Sequence, residues 1–241
     1  MADNLVNTVK HHIVLNPNHV QRVNIIGCGA LGSKVALEVA KLGVKEIHLY
    51  DFDTVSSENI ANQGFSHLDV GKLKVQALGD FINHMTGCEP IQHNEKVETS
   101  TVLQGITFLL VDSMKAREEI YNSSIKGNGL IPFFIDARMG VSSYQVVTVN
   151  PISKGQTDSY EKEMMYKDEE VSSEQTRACT VTPSIGATSG MAANHAIWQF
   201  IKAVNVYFGK LEYTKNVQIE KDVYVALTDT SYLSSHTYPV V

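Results

Sequence analysis

The residues best suited to chemistry in this 241-residue chain fall in a fixed order along its first half. Gly27-Cys28-Gly29-Ala30-Leu31-Gly32 separates a short apolar stretch from a helical pattern. Glycines at the first two positions let the backbone turn sharply and approach phosphate oxygens. The third lets the new helix pack on the strand, and the helix N-terminus offers N–H groups to an anion. Asp51, in Asp51-Phe52-Asp53 at the tip of the next strand, is spaced to accept bonds from ribose hydroxyls. Asn59-Ile60-Ala61-Asn62-Gln63 follows, and Gly71-Lys72-Leu73-Lys74 opens a second helix. The macrodipole disfavours lysines there unless an anion such as a triphosphate lies between them. Asp112 ends a central strand, where it can hold magnesium on phosphate oxygens, and Arg117 follows one helical turn later. Each has a plainer reading: a turn asparagine, solvated lysines, a capping aspartate, a surface arginine. Their joint order favours a nucleotide site.

The elements that must position these residues read as alternating strands and helices. Leu31, Val35, Val39 and Leu42 recur at helical spacing, predicting a helix over 30–42. Val75, Leu78, Ile82 and Met85 predict another, closed by Gly87. Strands are predicted at 46–51, 90–97, 106–111 and 130–137, and a third helix over 115–125. The apolar run at 106–111 suits a strand buried on both faces of a parallel sheet. The pattern predicts an α/β, Rossmann-like, doubly wound and mainly parallel sheet. The strand pattern over 142–150 and a late strand within 215–227 read as an antiparallel C-terminal extension. Residues 151–177 read as a polar excursion over the site, and 228–241 as a loose tail. Between them, 184–204 predicts a helix whose front half is rich in small residues and is therefore tightly packed.

At this length one core suffices, and 1–241 reads as one domain: an N-terminal segment (1–20), a nucleotide-binding half (20–140) and a crossover half (141–241). The net charge of −6 argues against a nucleic-acid partner. No stretch is long and apolar enough to span a membrane, and residues 1–20 lack the apolar core of a signal peptide. Cys28, Cys88 and Cys179 are widely spaced, with no C-x-x-C pair, so no zinc site is expected. This usage fits a reducing compartment, with cytoplasm as the default.

In these motifs the chain resembles the ubiquitin-activating-enzyme-like superfamily of ThiF, MoeB and HesA proteins. The resemblance runs over about 20–138 and returns over 179–202. It rests on the glycine loop with Ser33, on Asp51-Phe52-Asp53-Thr54-Val55 followed by Asn59, on Gly71-Lys72-Leu73-Lys74, and on Asp112 with Arg117. The resemblance implies ATP and Mg2+ as cofactors. Gly27, Gly29, Ala30, Leu31 and Gly32 would line the nucleotide, together with Asp51 on the ribose, Asp53, Asn59, Gln63 and Arg117. Lys74 would take the phosphates and Asp112 the magnesium, both in catalytic roles. The implied reaction adenylates the C-terminal carboxylate of a small ubiquitin-like or sulfur-carrier protein, or of a peptide, in a homodimer. The family pattern has an arginine where this chain has Asn62, and residues 1–21 contain none. Lys10, His11, His12 and Arg22 are the basic residues at hand.

Cys179, in Arg177-Ala178-Cys179-Thr180, has two readings. Beside an arginine and a helix start its thiolate is a competent acyl acceptor, whereas free cysteines are commonly buried and inert. Cys28 reads as packing. Two other functions remain open at this level: an NAD-dependent oxidoreductase, in which Asp51 holds an NAD ribose, and a non-catalytic nucleotide-binding interaction module.

Overall fold

Four-residue apolar strands form the centre of the molecule because every residue in them is buried. In the computed structural model, which describes residues 6–164, 185–209, 220–226 and 233–237, β1 (Val23–Ile26), β2 (Ile47–Tyr50) and β4 (Ile106–Leu109) have no exposed position. Alternate residues face opposite layers: Ile25, Phe108 and Ile135 enter one apolar cluster, while Ile26, Leu109 and Phe134 enter the other. Such two-sided burial requires helices on both faces. The first layer contains α1 (Gly32–Lys41), α2 (Lys74–Thr86) and α5 (Gly186–Phe208); the second contains α3 (Met114–Ile120) and α4 (Lys154–Met164).

The sheet has the order β3-β2-β1-β4-β5-β6-β7-β8, with β3 at Ile91–His93, β5 at Phe134–Met139, β6 at Ser143–Val149, β7 at Glu220–Ala226 and β8 at Leu233–Thr237. Pairings from β3 to β5 are parallel, and those from β5 to β8 antiparallel. The predicted class, a doubly wound, mainly parallel sheet with an antiparallel extension, is the observed one. The strand order reverses between β1 and β4, which opens a crevice at their carboxyl ends. The polar Asn24 is accommodated inside the sheet because its amide donates to Thr107 Oγ1 at 3.0 Å and to the Gln104 carbonyl at 2.9 Å.

Several elements differ from the sequence reading. Part of the polar excursion is the helix α4, anchored by the buried Thr157 and Tyr160. The tail contains β8, paired with β7. The third helix is α-helical only to Ile120 and continues as a π turn over Tyr121–Ile125. The strand expected from 130 begins at Phe134. The small-residue helix runs longer than predicted, and Ala192, Ala193 and Ala196 are buried in its front half. Gly87 ends α2 in the left-handed conformation at φ 74°, as its position predicted.

Candidate nucleotide site

The crevice begins where β1 ends. Gly27 has φ 90°, and a Cβ on it would lie 2.9 Å from the Leu110 carbonyl oxygen, so the turn presses directly on the exit of β4. A Cβ on Gly32 would lie 1.8 Å from the Gly27 carbonyl oxygen. Around Gly29 there is nothing within 4 Å of the same position. Two glycines are thus demanded by packing, and the third faces open space from which a ligand can approach the backbone.

Asp51 closes one side of this turn. Its Oδ2 accepts from the Cys28 N–H at 2.7 Å, and its Oδ1 from the Asp53 N–H at 2.9 Å. Each oxygen keeps a lone pair for a further donor, such as a hydroxyl. Burial raises the Asp51 carboxyl above its ordinary value, against the pull of those N–H groups and of Lys74. The 51–55 segment is tied to the start of α2: Thr54 bridges Leu73, and the Lys74 N–H donates to the Asp53 carbonyl at 2.9 Å. This places the Lys74 ammonium 2.8 Å from the Asp53 carboxylate. Lys74 therefore reaches an anion only by sharing or exchanging that partner.

Asn59 is first a capping residue. Its Oδ1 accepts from the Ser56 N–H at 2.9 Å, closing the short 3-10 turn Ser57–Ala61. Gln63 follows that turn, and its Oε1 is buried without a hydrogen-bond partner among the described residues. The Gly64 N–H donates to Ser33 Oγ at 2.8 Å, which packs this segment on the first turn of α1.

Asp112 is exposed and forms no hydrogen bond or ion pair among the described residues. The capping reading belongs to its neighbour: Ser113 Oγ accepts the Ala116 N–H at 3.3 Å. Arg117 departs from the expectation of a nucleotide contact. Its guanidinium is buried, donates to the Leu109 carbonyl at 3.0 Å and to that of Val111, and pairs with Asp136. It braces the strand end that carries Asp112, without lining the crevice. Asp136 also accepts from Arg138 Nε and the Tyr160 hydroxyl, each at 2.8 Å. Burial acts to raise the Asp136 carboxyl, yet Arg117 and Arg138 together hold it below the usual carboxylate range. Arg22 precedes β1, at the end of the sheet opposite the glycine turn, and donates to Asn24 and the Tyr50 hydroxyl.

Sequence reasoning passed over Asp136, Arg138 and Tyr160, and also Lys34, whose ammonium reaches the Asn62 carbonyl at 2.5 Å and Ser189 Oγ at 2.7 Å. No local motif marks these residues, since each has a partner from a distant element.

Cys179 and Arg177 lie outside the described residues. Cys28 and Cys88 are both buried. Burial, then the nearby Asp51 carboxylate, pushes the Cys28 thiol well above its ordinary value, and burial pushes Cys88 up to about 11. Both are protonated at pH 8, so neither is expected to react with iodoacetamide in the folded chain. Peptide mass mapping after brief labelling checks this, and rapid alkylation of Cys28 contradicts its place in the core. Among the described residues there is no group of three metal-ligating side chains, and no helix is long and apolar enough to cross a membrane.

The chain is similar to the NEDD8-activating enzyme E1 catalytic subunit of Dictyostelium discoideum, 32% identical over 105 residues, which covers 41% of this chain and 24% of that protein. It is also similar to the adenylyltransferase and sulfurtransferase MOCS3 of Caenorhabditis briggsae, 30% identical over 84 residues, with 34% of this chain and 21% of that protein covered. It thus spans about a quarter or less of the length of these curated relatives. In fold it matches E. coli MccB crystallised with ATP, with a TM-score of 0.66 at 17% identity over 94% of this chain and 66% of that one. A sequence model of the ThiF family matches residues 18–228, most of the chain including the whole crevice, so the chain belongs to the ThiF family.

Proposed function

We propose that this chain is an ATP-dependent adenylyltransferase that activates the C-terminal carboxylate of a small ubiquitin-like protein, sulfur carrier or peptide. One observation carries the reading: the exposed Asp112 carboxylate, unengaged among the described residues, stands two residues beyond the Leu110 backbone that Gly27 presses on. An NAD site has no use for a free carboxylate beside the dinucleotide phosphates. A triphosphate with Mg2+ does, because magnesium is commonly held by one or two carboxylates, phosphate oxygens and water. The donor set fits: Asp112 would hold the ion, which when bound supplies positive charge to the phosphate oxygens.

Asp51 would fix the ribose through its remaining lone pairs, and Gly29 would admit the phosphates to the backbone. Asn59 and Gln63 would line the phosphate side, with Asp53 steering Lys74 towards it. The acceptor carboxylate then attacks the α-phosphorus, the bond to the bridging oxygen of the β-phosphate breaks, and pyrophosphate leaves with the electron pair. No proton is transferred, so positioning and charge neutralisation carry the catalysis. Cys179 is the proposed acceptor of the activated acyl group. The similarity to a NEDD8-activating enzyme supports a protein substrate, and that to an adenylyltransferase supports the reaction. The chain is further proposed to act as one adenylation domain, as a homodimer and in the cytoplasm.

ATP–pyrophosphate exchange with a panel of glycine-terminated carriers and peptides tests the reaction, with intact-mass detection of an adenylate. Exchange above background with at least one substrate is expected. No exchange together with no ATP binding by calorimetry overturns the proposal. Sedimentation at micromolar concentration tests the dimer, which a monomer contradicts.

A further inference from the structure

The geometry points to Lys34 as a phosphate-contacting residue of the crevice, supplying a fixed positive charge to the β- and γ-phosphates; this rests on the nucleotide reading above. Lys34 lies in the first turn of α1, and its side chain folds back so that Nζ is 3.3 Å from the Ala30 carbonyl, within the glycine turn itself. The same ammonium donates to the Asn62 carbonyl and to Ser189 Oγ, and so reaches the residue adjacent to Gln63.

These three partners satisfy all its donors, but every one is neutral. Lys72 pairs with Asp69, Lys74 with Asp53 and Arg117 with Asp136, whereas Lys34 has no carboxylate partner among the described residues. A strut needing only hydrogen bonds has no use for a full charge in a partly buried position. Burial there pulls the ammonium below its ordinary value, the direction expected of a cation whose charge is uncompensated. An entering phosphate exchanges for the longest contact, that to the Ala30 carbonyl, and leaves the other two to hold the ammonium in place.

Nucleotide affinities of Lys34→Gln and Lys34→Arg, measured without carrier, test the assignment. Lys34→Gln is expected to weaken ATP and ADP binding roughly 10- to 100-fold, as loss of a charge-assisted hydrogen bond does, with adenosine affinity within about twofold of wild type. Lys34→Arg keeps the charge and should retain most of the ATP affinity. Unchanged ATP affinity in Lys34→Gln overturns the inference. So does an equal loss for ATP and adenosine with a fall in melting temperature, the signature of a strut. Should Lys34→Gln not fold, acetylation of the wild-type chain decides: ATP, but not adenosine, should protect Lys34, and equal labelling overturns the assignment. A wild-type chain that binds neither ATP nor ADP removes the nucleotide reading itself, and this inference with it.

Discussion

Asp112→Asn is expected to lower ATP–pyrophosphate exchange about 100- to 1000-fold while leaving the melting temperature unchanged. The two halves of this result have separate causes. The carboxylate makes no hydrogen bond or ion pair among the described residues, and the cap of α3 is Ser113, so the fold loses no polar interaction when one oxygen becomes an amide. The charge, by contrast, is what would draw a hard cation to the phosphate side in the proposed reaction. Its removal should forfeit roughly 3–4 kcal/mol of transition-state stabilisation, the range seen when one electrostatic contact to developing charge is lost. Ser113→Ala is the informative neighbour: it should destabilise the chain by about 1 kcal/mol through the lost cap and leave exchange nearly intact. Wild-type exchange in Asp112→Asn places the carboxylate outside the reaction and leaves the adenylation proposal without its principal support.

Asp112 is exposed at the end of its strand whereas Arg117 is buried against Asp136, and the contrast shows how far spacing alone reaches. The family resemblance implied both for the nucleotide, through one pattern after a single strand. Spacing fixes which face of α3 an arginine leaves from, but not what waits there. The answer lies on β5, where Asp136 is fully buried and its charge has to be matched. Lys34 is a similar case: its partner Ser189 lies 155 positions away in the sequence. The glycine turn, Asp51 and the start of α2 were legible because they are local devices, each determined by a few consecutive residues.

The same division runs through the fold. Strands buried on both faces and the wide apolar face of α1 give unmistakable patterns, and the left-handed cap at Gly87 has a single best residue type. The helix α4 gives no such signal because, along residues 154–162, only Thr157 and Tyr160 are buried. It is tied to the fold by long-range contacts, among them bonds from the Tyr160 hydroxyl to Asp136 and from the Tyr121 hydroxyl to Glu161. In β8 the backbone ladder to β7, and not an apolar alternation, makes the strand.

Gly32→Ala and Gly29→Ala should behave as opposites, although both lie in one motif. The added methyl carbon at Gly32 would stand 1.8 Å from the Gly27 carbonyl oxygen, a backbone atom that cannot swing aside as a side chain can. Relief requires α1 to move away from β1, yet Val35, Ala36, Val39 and Ala40 are fully buried in the core. Interiors packed to crystal density resist such a shift, so Gly32→Ala should lose more than about 4 kcal/mol and melt roughly 10 °C or more below wild type. At Gly29 nothing lies within 4 Å of the added carbon, and a helical or extended alanine is slightly favoured over glycine by its smaller unfolded-state entropy. Gly29→Ala should therefore melt at or slightly above the wild-type temperature and bind ATP at least 10-fold more weakly, since its methyl group occupies the space left for the phosphates. Thermal unfolding and calorimetric titration of the two variants separate the glycine that builds the turn from the one that serves the ligand. Normal ATP affinity in Gly29→Ala would mean that the phosphates do not approach the backbone there.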